Sequence, residues 1–443
     1  MNALVLLTAM TAGQPPADLP RLVPVPPVPQ PGALAQQPSG APMQPVTPVP
    51  PMNGNANGNC DEKKEEKKDE PKPYALMRLL ETTQFGQNLT ERGISISGWV
   101  QGNYTASSAN RNNLPLTFND RADFWQMNQN YLRIAKEVDP TKQEFQLGFR
   151  TDWVLPGTDG RFSVVRGLWD NQLKPPGANG ALPNYYPIDL FQVYADAFLP
   201  NLGPNGSTVR VGRFATHVGY ELFQGAETPF LQRSYLFQYN PFTHSGVWVT
   251  TGLNDTWTVS NGVSVGTDNF FGDPTNRFTY LGQLKWAPKD GKSTASFNVV
   301  LTDNKYQASQ AFPLYDVYNF VFTHKFNDNL TYVADATYSN MENAPQSDGT
   351  TGFASWYGTA QYLIYKHNDQ FTSNFRAEVF DDTKGARTGF RGVYNEFSYG
   401  LAYSPTQALI VRPTVRYDYN YTSRPFEGKR DLFTAAMDVI IRY

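Results

Sequence analysis

The chain has 443 residues, 40% hydrophobic and 17% charged, with a formal net charge of -3. That balance fits neither a disordered chain nor a basic nucleic-acid binder, and the single cysteine excludes an intramolecular disulfide. Aromatic residues are abundant, with 25 Tyr, 29 Phe and 8 Trp against 4 His.

Residues 1–13 hold a short apolar run, Ala3-Leu4-Val5-Leu6-Leu7, that passes into small residues, the shape of a secretory signal core and cleavage region. No Lys or Arg precedes it, so it reads either as a signal truncated at its basic start or as no signal; export is the expectation. From 14 to 73 no packed domain is expected. Proline recurs as in Pro24-Val25-Pro26-Pro27-Val28-Pro29, which favours an extended spacer, and an Asn/Gly patch leads into the balanced charge run Asp61 to Glu70. Cys60, in Asn57-Gly58-Asn59-Cys60-Asp61, reads as an unpaired linker residue. Leu76, Leu79 and Leu80 then stand at helical spacing, so a short helical segment is expected over 74–92.

Beyond Gly93 the period changes from helical to alternating. No run of about 20 apolar residues follows, which excludes a membrane-spanning helix but not a wall of strands. In the last segment Phe433, Ala435, Met437, Val439, Ile441 and Tyr443 fall on one face, opposite Thr434, Asp438 and Arg442. Leu409, Val411, Val415, Tyr417 and Tyr419 oppose Arg412, Thr414, Arg416 and Asp418 in the same way. Phe145, Leu147, Phe149 and Trp153 oppose Arg150 and Asp152, and Phe371, Phe375 and Val379 oppose Arg376 and Glu378.

About sixteen strands are predicted: 94–106, 129–139, 142–153, 188–199, 207–214, 245–254, 257–269, 277–287, 293–303, 316–327, 329–340, 354–366, 369–381, 394–404, 408–419 and 431–443. The connections alternate. Short turns such as 139–141, 255–256, 327–328 and 367–368 separate long loops at 107–128, 154–187, 215–244, 304–315, 341–353, 382–393 and 420–430, with 270–276 intermediate. An up-and-down antiparallel barrel requires this pattern and a sandwich does not, so the fold class is an all-β transmembrane barrel over 93–443 behind a disordered Pro-rich leader. Closure leaves no unpaired sheet edge in hydrocarbon. Trp99, Tyr104, Trp153, Tyr280, Trp286, Tyr332, Tyr338, Tyr417, Tyr419 and Tyr443 stand at strand ends, as interfacial girdles would. Pro413 interrupts a strand and predicts a bulge or a shifted boundary.

Three places resemble the OmpL-like β-barrel porin family, the second porin-like type. They are the opening strand Gly93 to Thr105 behind the Leu-rich helix, the stretch Val211-Gly212-Arg213-Phe214-Ala215-Thr216-His217-Val218-Gly219-Tyr220-Glu221 with Arg233-Ser234-Tyr235-Leu236-Phe237 and His244-Ser245-Gly246-Val247, and the C-terminal strand with its aromatic last residue. The resemblance covers roughly Tyr74 to Tyr443 and implies an outer-membrane pore; the Pro-rich leader lies outside it. It also implies that the strand ending at Tyr443 is read by barrel-insertion machinery.

If the apolar faces meet lipid, Arg150, Asp152, Asp196, Arg210, Asp335, Arg376, Glu378, Arg412, Arg416, Asp438 and Arg442 line the lumen. Two readings stay open for them: a transverse field that filters small hydrophilic solutes, or pairs that satisfy one another across strands. Loop 215–244 is too apolar to hang in water and is expected to fold inward as a constriction, carrying His217, Tyr220, Glu221, Arg233 and His244. Its histidines and glutamate match no metal-ligand spacing, and no cofactor is expected. There is no G-x-S-x-G elbow, phosphate loop or H-E-x-x-H, so an enzyme is not expected. The reading is a passive outer-membrane porin; the alternatives are a plugged barrel that tethers the leader and, behind it, an outer-membrane hydrolase. Expected partners are outer-membrane lipid, insertion machinery and, by analogy with porins, two further copies in a homotrimer. The leader is expected in the periplasm.

Overall fold

A computed structural model describes residues 74–164, 168–169, 172, 185–271, 278–303 and 315–443; the expected signal, the linker and Cys60 lie outside the described residues. Two short helices open it, α1 Ala75–Leu80 and α2 Gln84–Glu91, the second capped by the Thr83 hydroxyl, which accepts the Gly86 N–H.

Sixteen strands follow: β1 Ser95–Ser107, β2 Phe124–Lys136, β3 Gln146–Leu155, β4 Asp189–Leu199, β5 Ser207–Ala215, β6 Thr243–Gly252, β7 Trp257–Ser264, β8 Thr279–Trp286, β9 Ser293–Leu301, β10 Asp316–Lys325, β11 Leu330–Pro345, β12 Thr351–Lys366, β13 Phe371–Asp382, β14 Gly392–Thr406, β15 Leu409–Asn420 and β16 Asp431–Arg442. Each pairs antiparallel with the next, and β16 closes on β1 from Trp99↔Arg442 to Ser107↔Thr434. At the seam the Tyr443 N–H donates to the Gly98 carbonyl and the Gly98 N–H to the Tyr443 carbonyl. Only glycine fits there: a Cβ on Gly98 would stand 2.1 Å from the Tyr131 carbonyl oxygen and 2.8 Å from the Tyr443 ring.

Burial follows residue parity and inverts the pattern of a water-soluble protein. On β16, Phe433, Met437, Val439 and Ile441 are 47, 47, 37 and 55% exposed, while Thr434 and Asp438 are fully buried. Apolar side chains ring the outside and polar ones the inside, which is stable only where the outside is hydrocarbon.

Where strand limits differ from the alternation, the backbone gives the reason. β2 starts five residues before the expected 129, because a bulge against Gln101/Gly102 buries both Asn128 and Gln129 and breaks the period. The turn expected at 139–141 runs over 137–145, pinned by Gln146, whose amide accepts from the Asp139 N–H and donates to the Asp139 carbonyl. The expected 341–353 loop shrinks to 346–350, since pairing resumes at Ala344↔Gly352 past the bulge at Asn343. β7 stops at Ser264, before the 269 expected, because the chain turns through left-handed Gly266 and Asp268. Pro413 shifts no boundary. It pairs with Met437 in the β15–β16 register, and its missing N–H falls where the β14–β15 ladder skips from Gly400↔Thr414 to Tyr403↔Val411. Trp99 does not join an outer girdle: it is buried inside the barrel, stacked at 4.2 Å on Tyr131, with its indole N–H donating to Gln129.

Candidate pore and its inward loop

Residues 216–242, between β5 and β6, lie inside the barrel. The placement follows from their partners, which sit on the inward faces of opposite walls. The Gly219 N–H donates to Asn319 of β10 and the Tyr220 N–H to Asp335 of β11. The Gln232 amide reaches Thr434 of β16, and the Gly225 N–H reaches Gln129 of β2. Arg412 and Arg416 of β15 donate to the carbonyls of Thr228 and Arg233, and Arg442 of β16 to that of Ala226. Gly219, left-handed at φ +86, makes the turn that sends the chain inward.

Glu378 of β13 is the firmest of these anchors. Its carboxylate oxygens accept the N–H groups of Tyr235 and Leu236, each at 2.7 Å, at the first turn of α4 Tyr235–Tyr239. The Ser234 hydroxyl caps the same turn by accepting the Phe237 N–H. Two observations explain why an apolar loop packs here. Tyr235 and Tyr239 stack against Phe380, and Phe223, Phe237 and Phe242 surround Phe118.

The eleven charged residues assigned to the lumen by parity all face inward, and each has a partner. Arg150 forks Asp152, which also takes the Tyr131 hydroxyl at 2.7 Å and the Gln192 amide. Arg210 forks Asp196 with two 2.8 Å bonds. Arg412 pairs with Asp438 and Arg416 with Asp418, while Asp335 accepts from Asn319 and Tyr220. Arg376 forks Glu396 and also pairs with Glu221 of the loop. Every guanidinium but that of Arg442 is buried, so these charges act first as struts, and the pairing reading describes their contacts.

Of the five loop positions, Glu221 is the centre: it pairs with Arg376 and accepts the Ser234 N–H and the Tyr362 hydroxyl. Tyr220 packs on Tyr362 at 4.9 Å, and Arg233 donates to the carbonyls of Phe223 and Phe230. His217 contacts the Val299 carbonyl and the Trp248 ring. His244 is not in the loop but in β6, bonded to Thr216, because pairing runs to Ala215↔Thr243. Burial brings the His217 imidazole down to about 4, so it is neutral at pH 7. A second loop also reaches inside: Asp159, at the start of α3 Gly160–Ser163, accepts from Asn128 and Gln129, and burial pushes its carboxyl up to about 6. No group of three or more His, Cys, Asp or Glu suited to a metal occurs among the described residues.

The paired charges are only part of the inner wall. Thr258, Gln283, Lys285, Thr294, Ser296 and Thr323 face inward near the short turns and are only half-buried, so that wall is less tightly packed than the one the loop covers. The same parity that points Tyr280, Leu284, Phe297 and Phe320 outward would have found them.

A closed sixteen-strand barrel, apolar outside, polar and ion-paired inside, with one long loop folded within, defines a porin-type barrel of the outer membrane. The chain belongs to the family described as Putative beta-barrel porin-2, OmpL-like, whose model matches residues 93–443, so the resemblance read from the opening strand, the Val211–Glu221 stretch and the C-terminal strand is borne out. The fold is similar to that of the outer membrane channel DcaP of Acinetobacter baumannii, at 12% identity and a TM-score of 0.51 over 79% of this chain and 97% of that one. It is also similar to an anion-selective porin from Comamonas acidovorans, at 10% identity and a TM-score of 0.50 over 79% and 99% of the two chains. No curated protein matches the sequence. The barrel is an outer-membrane protein of the porin class, whose family and neighbours are channels.

Proposed function

We propose that the barrel passes small hydrophilic solutes by diffusion, and that loop 216–242 sets the bore. The observation that carries this is the loop's position inside a closed barrel, fixed through Glu378, Arg376, Arg412 and Arg416 on one wall and Asp335 on another. On this reading Glu221, Arg376 and Arg233 shape the narrow zone, and Lys285, Gln283 and Ser296 line the wider one. The short turns and the leader face the periplasm, a signal in residues 1–13 directs export, and Tyr443 presents the last strand to insertion machinery. A homotrimer suits the class.

One observation favours a second reading. Arg376, Glu396, Arg416 and Asp418 are buried behind the loop, as they would be in a plugged barrel that anchors the leader. Liposome swelling with neutral sugars of rising size separates the two. A porin gives swelling that falls steeply with sugar size, and a plugged anchor gives none for the smallest sugar.

A further inference from the structure

The outer face of β14, β15, β16, β1 and β2 carries a groove of roughly 590 Å³ lined by Tyr399, Pro413, Ala435, Met437, Tyr104 and Trp125. Its shape comes from small residues between large ones: Ala435 and Pro413 form the floor, while Trp125, Tyr399 and Met437 stand 69, 49 and 47% exposed on its sides. The loops joining these strands at the long-loop rim, 108–123, 383–391 and 421–430, carry the exposed cations Arg111, Arg391, Arg424, Lys429 and Arg430.

These loops form one rim. The Ser423 hydroxyl donates to the Arg391 carbonyl, the Lys429 ammonium to the Ser108 carbonyl, and the Glu427 carboxylate accepts the N–H groups of Asn110, Arg111 and Asn112. That last contact matters for charge. Glu427 is engaged by backbone donors, as is Asp382 by the N–H groups of residues 386, 387 and 388, and Asp120 is paired with Arg161. The five cations make no ion pair among the described residues; Asp123, which accepts the Ser107 N–H, and Asp431 are left exposed beside them, two carboxylates against five cations. Excess positive charge therefore stands directly above an apolar groove, on a protein whose net charge is -3.

We infer that this face binds a phosphate-bearing lipid of the outer leaflet, its acyl chain in the groove between Trp125 and Tyr399 and its phosphates on Arg424, Lys429 and Arg430. The chemistry is that of an anionic amphiphile: hydrocarbon against aromatic and aliphatic walls, phosphate oxygens on guanidinium and ammonium donors at the interface. The inference rests on the long-loop rim facing the outer leaflet and is independent of whether the lumen conducts.

The test is native mass spectrometry of the full chain in detergent, titrated with bis-phosphorylated lipid A and with its dephosphorylated form. Each interfacial cation contributes about fivefold in affinity, so Arg424→Glu/Lys429→Glu/Arg430→Glu is expected to weaken lipid A binding by about a hundredfold or more. Ala435→Trp, which fills the groove from its lipid side, is expected to weaken lipid A binding without changing the heat-modified gel mobility that reports a folded barrel. Equal retention of the two lipids, or wild-type affinity in the folded triple variant, overturns the inference. So does a lipid-free oligomer that Ala435→Trp dissociates, since the face would then bind a second copy. Channel conductance is unaffected in every case, so failure here is distinct from failure of the porin reading.

Discussion

Replacing Glu378 by Ala removes both acceptors of the Tyr235 and Leu236 N–H groups and leaves two donors unpaired in a buried site. Leaving a buried N–H unpaired costs about 1–3 kcal/mol, so the first turn of α4 loses about 2–6 kcal/mol of anchoring. At about 1.4 kcal/mol per tenfold, hydrogen exchange at the Tyr235 and Leu236 amides should accelerate by about 30-fold to 10⁴-fold. Glu378→Gln keeps one acceptor and should fall about midway. The effect stays local, because Arg376 keeps Glu396 and Glu221, and the β12–β13–β14 ladders do not depend on the Glu378 side chain. Exchange measured in micelles should therefore show loosened loop amides and unchanged strand amides. Wild-type protection at Tyr235 and Leu236 in Glu378→Ala would refute the claim that this carboxylate holds the loop.

Acid should act on the loops in two opposing ways. The Asp159 carboxyl is raised to about 6, so the cost of its charge is present above that pH and is relieved as pH falls toward the ordinary carboxyl range. The His217 imidazole is lowered to about 4, so the neutral ring stabilises the fold above its ordinary value near 6.5, and that contribution is lost as pH falls from there toward 4. Loop exchange followed from pH 8 to 4 should show acid loosening exaggerated in Asp159→Asn and abolished in His217→Gln; identical profiles in both would contradict the burial argument. Gly98→Ala sets a Cβ 2.1 Å from the Tyr131 carbonyl of β2 and 2.8 Å from the Tyr443 ring, and should disrupt the pairing of β1 with both its neighbours, read as loss of the heat-modifiable band on a gel. Met437→Arg places a charge on the lipid side near the middle of β16 and should destabilise the barrel in bilayers by about 2–4 kcal/mol. Ser296→Arg, on the inner wall, should leave folding unchanged and shift ion selectivity measured by reversal potential.

Strand number, parity and the inward loop were legible because each rests on a repeating or bulk property. Alternation in 409–420 and 431–442 assigns Arg412, Arg416 and Asp438 to the inside without any contact being known. The apolar content of 215–244 forces that loop to pack. What alternation could not give were departures from period two and identities of partners. The bulge at Asn128 hid the start of β2, and the bulge at Asn343 disguised strand as loop. Trp99 has the residue type and the strand-end place of a girdle residue, although it shares parity with Gln101, Asn103 and Thr105 on the inner face, where the register sets it on Tyr131. That Glu221 crosses the barrel to meet Arg376, 155 residues away, is a fact of tertiary packing with no local signature. Lys285 and Ser296 carry no comparable signature, because the less packed wall is built mainly of small neutral residues and not of alternating charge pairs.

Single-channel conductance in planar bilayers tests the loop-narrowed pore most directly, comparing the wild-type protein with a variant in which residues 222–238 are replaced by a short Gly-Ser link. Stable ohmic steps are expected for the wild type and larger ones for the variant, because the loop occupies the bore of a barrel whose wall is closed by strand pairing alone. Silence of both proteins, each shown to be folded, would contradict it.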